Sequence, residues 1–320
     1  MNHYEMLRHV SRTFSLSIEQ LPPVLRDTVT VAYLLFRVAD CLEDHCEIVP
    51  ERKALLLRLW GDILAGSRPA DDLIAQLSDL DDTDPEVYVA RRADRVMQHL
   101  SHIPEQLKTI LIAHVFETSQ GMARWQEHGP WIQTEEEMDD YMHQVAGRVG
   151  YLLTDIFSWY SPAIAKERER LMPLGREFGL ALQTVNIIRG LRKDFERGWV
   201  FIPVAFLESI HLTPQEFFDE ANIEKALPVL DRLIEKARRH LKNGLAYITL
   251  LPRNERRIRL FCIWPLFFAV KTLALSRNNP GVLTSETKIT RQQVKHIVFV
   301  SRLLCGSNAC LEGYYRYLGK

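Results

Sequence analysis

The sequence predicts an all-α fold, on three observations. Alternating runs rich in Val, Ile and Thr and bounded by turns are scarce, so a sheet has little to be built from. Helical spacing of apolar residues, punctuated by Pro and by capping residues, runs through most of the 320 residues. No Gly/Ser-rich linker and no repeat of fixed period divides the chain, so residues 1–320 are expected to form a single domain of many packed helices.

Composition narrows the partners. With 47% hydrophobic residues, 25% charged residues and a formal net charge of −1, an ordinary globular core is expected and nucleic acid is not. Five cysteines (Cys41, Cys46, Cys262, Cys305, Cys310) are an odd count without CxxC spacing. They suit buried thiols of a cytoplasmic protein better than disulfides or a zinc site. The start, MNHYEMLRHV, is too polar for a signal peptide. The apolar run Leu260–Val270 is short for a bilayer and contains Pro265, so no transmembrane anchor is expected. Peripheral contact with a membrane remains open, and a monomer is favoured.

In chain order, Ser11-Arg12-Thr13-Phe14-Ser15 sets hydroxyls beside one guanidinium. That grouping suits phosphate oxygens, and equally a helix cap with a polar turn. Pro22-Pro23 marks a helix start that leads into Val29–His45. Pro50 opens a helix that ends at Gly66. Asp79, Asp81, Asp82 and Asp84 precede Pro85 without an apolar face, so they read as a solvated, capping loop. Pro85–His99 and Pro104–Trp125 have helical periodicity. Thr134 and Glu137 form a capping box for a helix to about Tyr160, with Gly147 and Gly150 in its middle. Each of these glycines costs about 1 kcal/mol against Ala, acceptable where another backbone or a ligand comes close. Pro173 opens a helix to about Arg197. Thr213-Pro214 caps another, Ala226–Leu250 and Asn254–Leu275 follow, Asn278–Gly281 is a turn, and residues 288–317 resume helix.

Two of these helices carry chemistry. At about 100° per residue, Tyr33, Arg37, Asp40 and Asp44 fall within a sector of roughly 60°, with Glu43 at its flank. A guanidinium and carboxylates on an apolar helix are costly unless paired or bound. An intrahelical Arg37–Asp40/Asp44 ion pair answers that cost, and so does an acidic rim for divalent metal. On the Pro173 helix, Gln183, Asn186, Gly190 and Asp194 share roughly 80°, with Lys193 at the edge and Arg189 beyond. Two oxygen-bearing faces with an Arg near each suit a diphosphate, with two or three Mg²⁺ drawing charge from the leaving group. An allylic cation formed there needs a dry, apolar pocket.

Three segments in order, SRTFS with LPPVLRDTVTVAYLLFRVADCLED, then YMHQVAGRVG, then LQTVNIIR, resemble the squalene/phytoene synthases, the head-to-head prenyltransferases, over nearly the whole chain. VAGRVG, RLFCIWP, and Asn278-Asn279 followed by Thr287–Arg291 lean toward the squalene branch of that family. The resemblance implies an isoprenoid-synthase bundle with a central apolar cavity. It implies condensation of two farnesyl diphosphates through presqualene diphosphate to squalene, with Mg²⁺ and NADPH reduction. Dehydrosqualene or presqualene diphosphate as end product, and a non-catalytic prenyl-lipid-binding protein, are the alternatives.

Position by position, the resemblance gives Mg²⁺ to Asp40 and Asp44 (Glu43 beside them), assisted by Asn186 and Asp194. It gives diphosphate contacts to Ser11, Arg12, Thr13, Arg37 and Arg189, and puts Tyr33, Tyr141 and Gln183 by the reacting centre; the ammonium of Lys193, at the edge of its face, could touch a diphosphate directly or reach out to solvent. Tyr141 is the acid/base or cation-stabilising phenol, and Asn279, Lys288 and Arg291 form part of a nicotinamide site without a GxGxxG turn. Two departures stand out. The family's second motif reads Asn-x-x-Arg-Asp-x-x-Glu-Asp, whereas Gly190 and Lys193 replace two of its acids here, and Trp199 stands where a base is common.

Overall fold

A computed structural model describes residues 2–11 and 14–320; Met1, Arg12 and Thr13 lie outside the described residues. The chain is all-α: among the described residues there is no strand, only one isolated parallel bridge between Trp131 and Val200. Its internal contacts sort into two compact units.

Unit one comprises the residues up to Gly129 together with Asp155–Ala165. Its central helix is Pro23–Asp44, which begins earlier than its apolar run suggests because Pro23 occupies the first turn, where no N–H is needed. Leu25, Val31, Leu34, Leu35, Val38 and Leu42 are buried along it. Pro50–Leu64 packs on Glu105–His128. There Gly61 lets the helices close: a Cβ on it would lie 2.6 Å from Gln120 Nε2. The Asp-rich loop does what its composition implies. Asp84 caps Pro85–Ala90 by accepting from the Glu86 and Val87 amides, while Asp79 pairs with Arg52 and Asp82 with Arg92. The expected Pro85–His99 helix is broken at Arg91-Arg92; Arg92 donates both to Asp82 and to the Tyr88 carbonyl.

Unit two comprises Pro130–Thr154 and Lys166–Lys320. The helix expected from Thr134 to Tyr160 is three pieces: Glu135–Met142, a π turn at His143–Gly147, and Arg148–Tyr160. Its glycines serve close packing. A Cβ on Gly150 would collide with the Gly175 carbonyl, and one on Gly179 with the Ala146 carbonyl. The partner helix, Arg168–Glu196, carries Pro173 inside it, so Pro173 is not its start. Ile223–Leu250 lies along that helix, and residues 291–318 split into Arg291–Leu304 and Asn308–Leu318.

One helix among the described residues, Arg256–Ser276, is long and apolar enough to cross a membrane, and 72% of its most apolar window is buried within the fold. The short Leu260–Val270 run understates it, because Pro265 sits inside a continuous helix. Cys41, Cys262 and Cys305 are buried thiols as expected, whereas Cys46 and Cys310 are exposed, and all five are free.

Candidate active site

On the Pro23–Asp44 helix the stripe is assembled as its spacing implies. Arg37 Nη2 donates to the Tyr33 hydroxyl at 2.8 Å, and the guanidinium lies 5.2 Å from the Tyr33 ring centroid. Arg37 Nη1 reaches Asp40 at 3.6 Å and Glu86 at 2.8 Å. The intrahelical pair is therefore real but loose, and the tighter contact goes to Glu86, which spacing along one helix could not reveal. Arg37 Nε is buried and donates to nothing within the protein. Burial opposes the charge on Arg37, but Asp40, Tyr33 and Glu86 together outweigh it, so the guanidinium holds its proton more firmly than usual.

The carboxylates respond in the opposite sense. Burial pushes Asp40 up to about 7; Arg37 offsets part of this, while Asp44 and Glu86 add to it. Glu43 is raised in the same direction by burial and by Asp44 and Asp40, against Lys53. Glu43 is 6% exposed, its Oε1 has no hydrogen-bond partner, and Lys53, also buried, is its counter-charge. Asp44 and Asp40 act on it more strongly than Lys53 does, so Glu43 stays electrostatically part of the stripe.

Among the described residues no three His, Cys, Asp or Glu side chains form a closed ion cage. Asp40 and Asp44 still fit Mg²⁺, which takes one or two carboxylates and leaves its other positions to water and phosphate. A divalent charge there would relieve the strain that lifts Asp40. Near the stripe, Phe14 stacks on Tyr33 at 5.8 Å, and Ser11 is buried as the C-cap of His3–Val10. Arg12 and Thr13, assigned to diphosphate by resemblance, lie outside the described residues.

In unit two, Tyr141 is the penultimate residue before the π turn and is 4% exposed. Its ring stacks on Phe201 at 4.7 Å, and Phe201 stacks on Trp199 at 5.5 Å. Trp199, which stands where the family has a base, therefore extends an aromatic column under the tyrosine. His143, inside the turn, is held neutral: burial lowers it to about 4, with Arg176 and Arg148 acting the same way.

On Arg168–Glu196, Gln183 and Asp194 are half-buried, while Asn186 and Lys193 are exposed. Arg189 pairs with Glu286 at 3.3 Å, and Glu286 also takes Lys288 at 2.6 Å. Glu286 thus joins a residue assigned to diphosphate with one assigned to nicotinamide. Nothing in the sequence signalled it. A Cβ on Gly190 would lie 3.2 Å from Asp194 Oδ2, so the lost acid at 190 would have stood beside Asp194. With one carboxylate and one amide, this face offers Mg²⁺ fewer donors than the family motif. Asn279 is consumed by its own turn: its Oδ1 accepts from Gly281 and its Nδ2 donates to the Leu275 carbonyl. Of the other two residues assigned to nicotinamide, Lys288 is paired with Glu286 and Arg291 is exposed.

Fold and side chains together define a helical prenyl-synthase class of protein. Within it, the chain belongs to the squalene/phytoene synthase family, which matches residues 7–293 and runs through both units. It is 28% identical over 319 residues to the squalene synthase of Schizosaccharomyces pombe, covering 98% of this chain and 67% of that protein. It is likewise 28% identical over 293 residues to that of Homo sapiens, covering 91% and 66%. The chain therefore spans about two thirds of the length of these relatives. Among solved structures, TcSQS in complex with BPH1237 superposes with a TM-score of 0.82 at 25% identity, covering 99% of this chain and 90% of the other. A dehydrosqualene synthase shares the fold at a TM-score of 0.63 and 15% identity, covering 98% and 95%.

Proposed function

We propose that this chain joins two farnesyl diphosphates head to head, through presqualene diphosphate, to squalene, using Mg²⁺ and NADPH. The observation that carries the reading is the stripe on Pro23–Asp44: a half-buried guanidinium whose buried Nε–H is spare, beside the Asp40 carboxylate and one turn from Asp44. It supports this activity because it occurs in a chain whose curated relatives bear the name squalene synthase. Asp40 and Asp44 in one unit, and by resemblance Asn186 and Asp194 in the other, are the residues that would hold Mg²⁺, which supplies electrostatic pull on a diphosphate leaving group. Lys288 and Arg291 would hold NADPH, which supplies hydride.

The chain's own residues bind and orient. Arg37 offers Nε–H to a diphosphate oxygen, a charge-assisted contact that also satisfies a buried donor. Ser11 and Arg189 are further donors by resemblance, and Lys193 is one by its place at the edge of the face that carries Asn186 and Asp194. The Tyr141 phenol moves or holds the proton at its oxygen, and its ring, backed by Phe201, offers an aromatic surface to a developing cation in place of water.

One feature favours a second reading, a non-catalytic prenyl-lipid-binding protein of the same fold. Gly190 and Lys193 leave the second motif short of acids. The test is incubation of the purified protein with farnesyl diphosphate and Mg²⁺ without nicotinamide. Presqualene diphosphate should form. Unconsumed farnesyl diphosphate would leave only a prenyl-lipid-binding protein.

A further inference from the structure

Unit two leaves large apolar side chains bare on the Arg291–Leu304 helix. Phe299 is 65% and Leu303 68% exposed, and as an i, i+4 pair they share one face. Ile297 and Ser301, buried on the opposite side, seat the helix on Arg256–Ser276. The charge along this stretch of chain has one sign. Residues 287–311 contain Lys288, Arg291, Lys295 and Arg302 and no Asp or Glu. Arg256 adds another cation at the far end, where its Nη2 donates to the Arg302 carbonyl at 3.4 Å. The helix is also preformed: Thr290 and Gln293 close a capping box at its start.

Exposed Phe and Leu flanked by Lys and Arg, with no acid, are what an interfacial helix presents to anionic headgroups. We infer that the exposed face of Arg291–Leu304 docks on an anionic lipid bilayer, with Phe299 and Leu303 entering the acyl boundary and Arg256, Lys295 and Arg302 meeting lipid phosphates. The cations give the face complementarity to lipid phosphate that a neutral or acidic partner would lack. Binding by two side chains and a few charges is weak, reversible and salt-sensitive. The inference goes beyond the proposed activity and does not depend on it, since docking is read without turnover.

The test is co-sedimentation with phosphatidylcholine vesicles, with and without phosphatidylglycerol. The full chain should bind the anionic vesicles and release with added salt, and Phe299→Glu with Leu303→Glu should weaken binding by at least about tenfold. Phe299→Ser with Leu303→Ser is the milder companion, and an unchanged melting temperature certifies folding in both. Lys295→Glu with Arg302→Glu should remove the preference for phosphatidylglycerol. Undiminished binding in the Phe299/Leu303 variants, or no binding by the parent chain, overturns the inference. Self-association that those variants abolish, without vesicle binding, assigns the face to a second copy and overturns it too. Consumption of detergent-dispersed farnesyl diphosphate, followed alongside, separates failure of docking from failure of the proposed activity.

Discussion

Asp40 concentrates the electrostatics of the stripe. Its carboxyl sits at about 7 against an ordinary 3.8, so its contribution to stability is fully present below pH 3.8 and is lost as pH rises through about 7. Mg²⁺ needs the ionised form, so the rise in melting temperature on adding Mg²⁺ should grow across that window and level off above it. Asp40→Asn should flatten this growth and abolish product formation, as should Asp44→Asn for product, with the fold retained. Thermal scans at pH 5.5 and pH 8, with and without Mg²⁺, check the first; near-normal turnover in both variants would remove the assignment. Trp199 invites a test of its own. Trp199→Ala strips one face of Phe201 and should cost about 0.5–1.5 kcal/mol beyond lost burial, measured by urea unfolding, while loosening the ring under Tyr141. At this scale the stripe was legible because four polar side chains on an apolar helix need a reason. Glu86 and Glu286 were not legible, because each meets its arginine from a distant stretch of chain.

At the scale of elements, the second motif is a natural place to restore what the family has. Gly190→Asp with Lys193→Glu adds carboxylates beside Asp194, and at 190 only the mobile end of Asp194 must yield. Titration of activity with Mg²⁺ should become steeper in that variant, whereas Lys193→Ala alone should weaken farnesyl diphosphate binding by about 1–3 kcal/mol. Unchanged Mg²⁺ dependence and affinity would take this face out of diphosphate handling. Gly150 tests the packing of the same unit. Gly150→Ala drives a methyl into the Gly175 carbonyl and should cost about 3 kcal/mol, read from denaturant unfolding. The sequence flags Gly147 and Gly150 because glycine is costly in a helix. It hides the π turn, since a single inserted residue barely disturbs apolar periodicity. Pro173 misleads for a related reason: its ring is accommodated within the helix instead of starting it.

Across the whole molecule, two buried charge systems hold unit two. Arg259, fully buried, donates to the carbonyls of Ile248, Leu251 and Cys305 and to Asn308 Oδ1, which fastens three helix ends. Its place in the basic start of an apolar helix gave no hint of that role. Glu177 accepts from His240 and Asn243, and the His240 contact leads in lowering its carboxyl to about 2. That stabilisation is present above pH 4.5 and lost as pH falls through about 2, so Glu177→Gln should flatten the acid limb of the stability profile. The all-α class and the order of the helices were readable from punctuation and period. The division of contacts into two units was not, because no linker marks it.

The central claim is reductive head-to-head condensation, and nicotinamide decides it. Purified protein is incubated with farnesyl diphosphate and Mg²⁺, with and without NADPH, and the lipid products are separated. Squalene is expected with NADPH, and presqualene diphosphate or unreduced C30 alcohols without it, since the final cation then lacks a hydride. The same C30 polyene in both incubations would contradict reductive condensation.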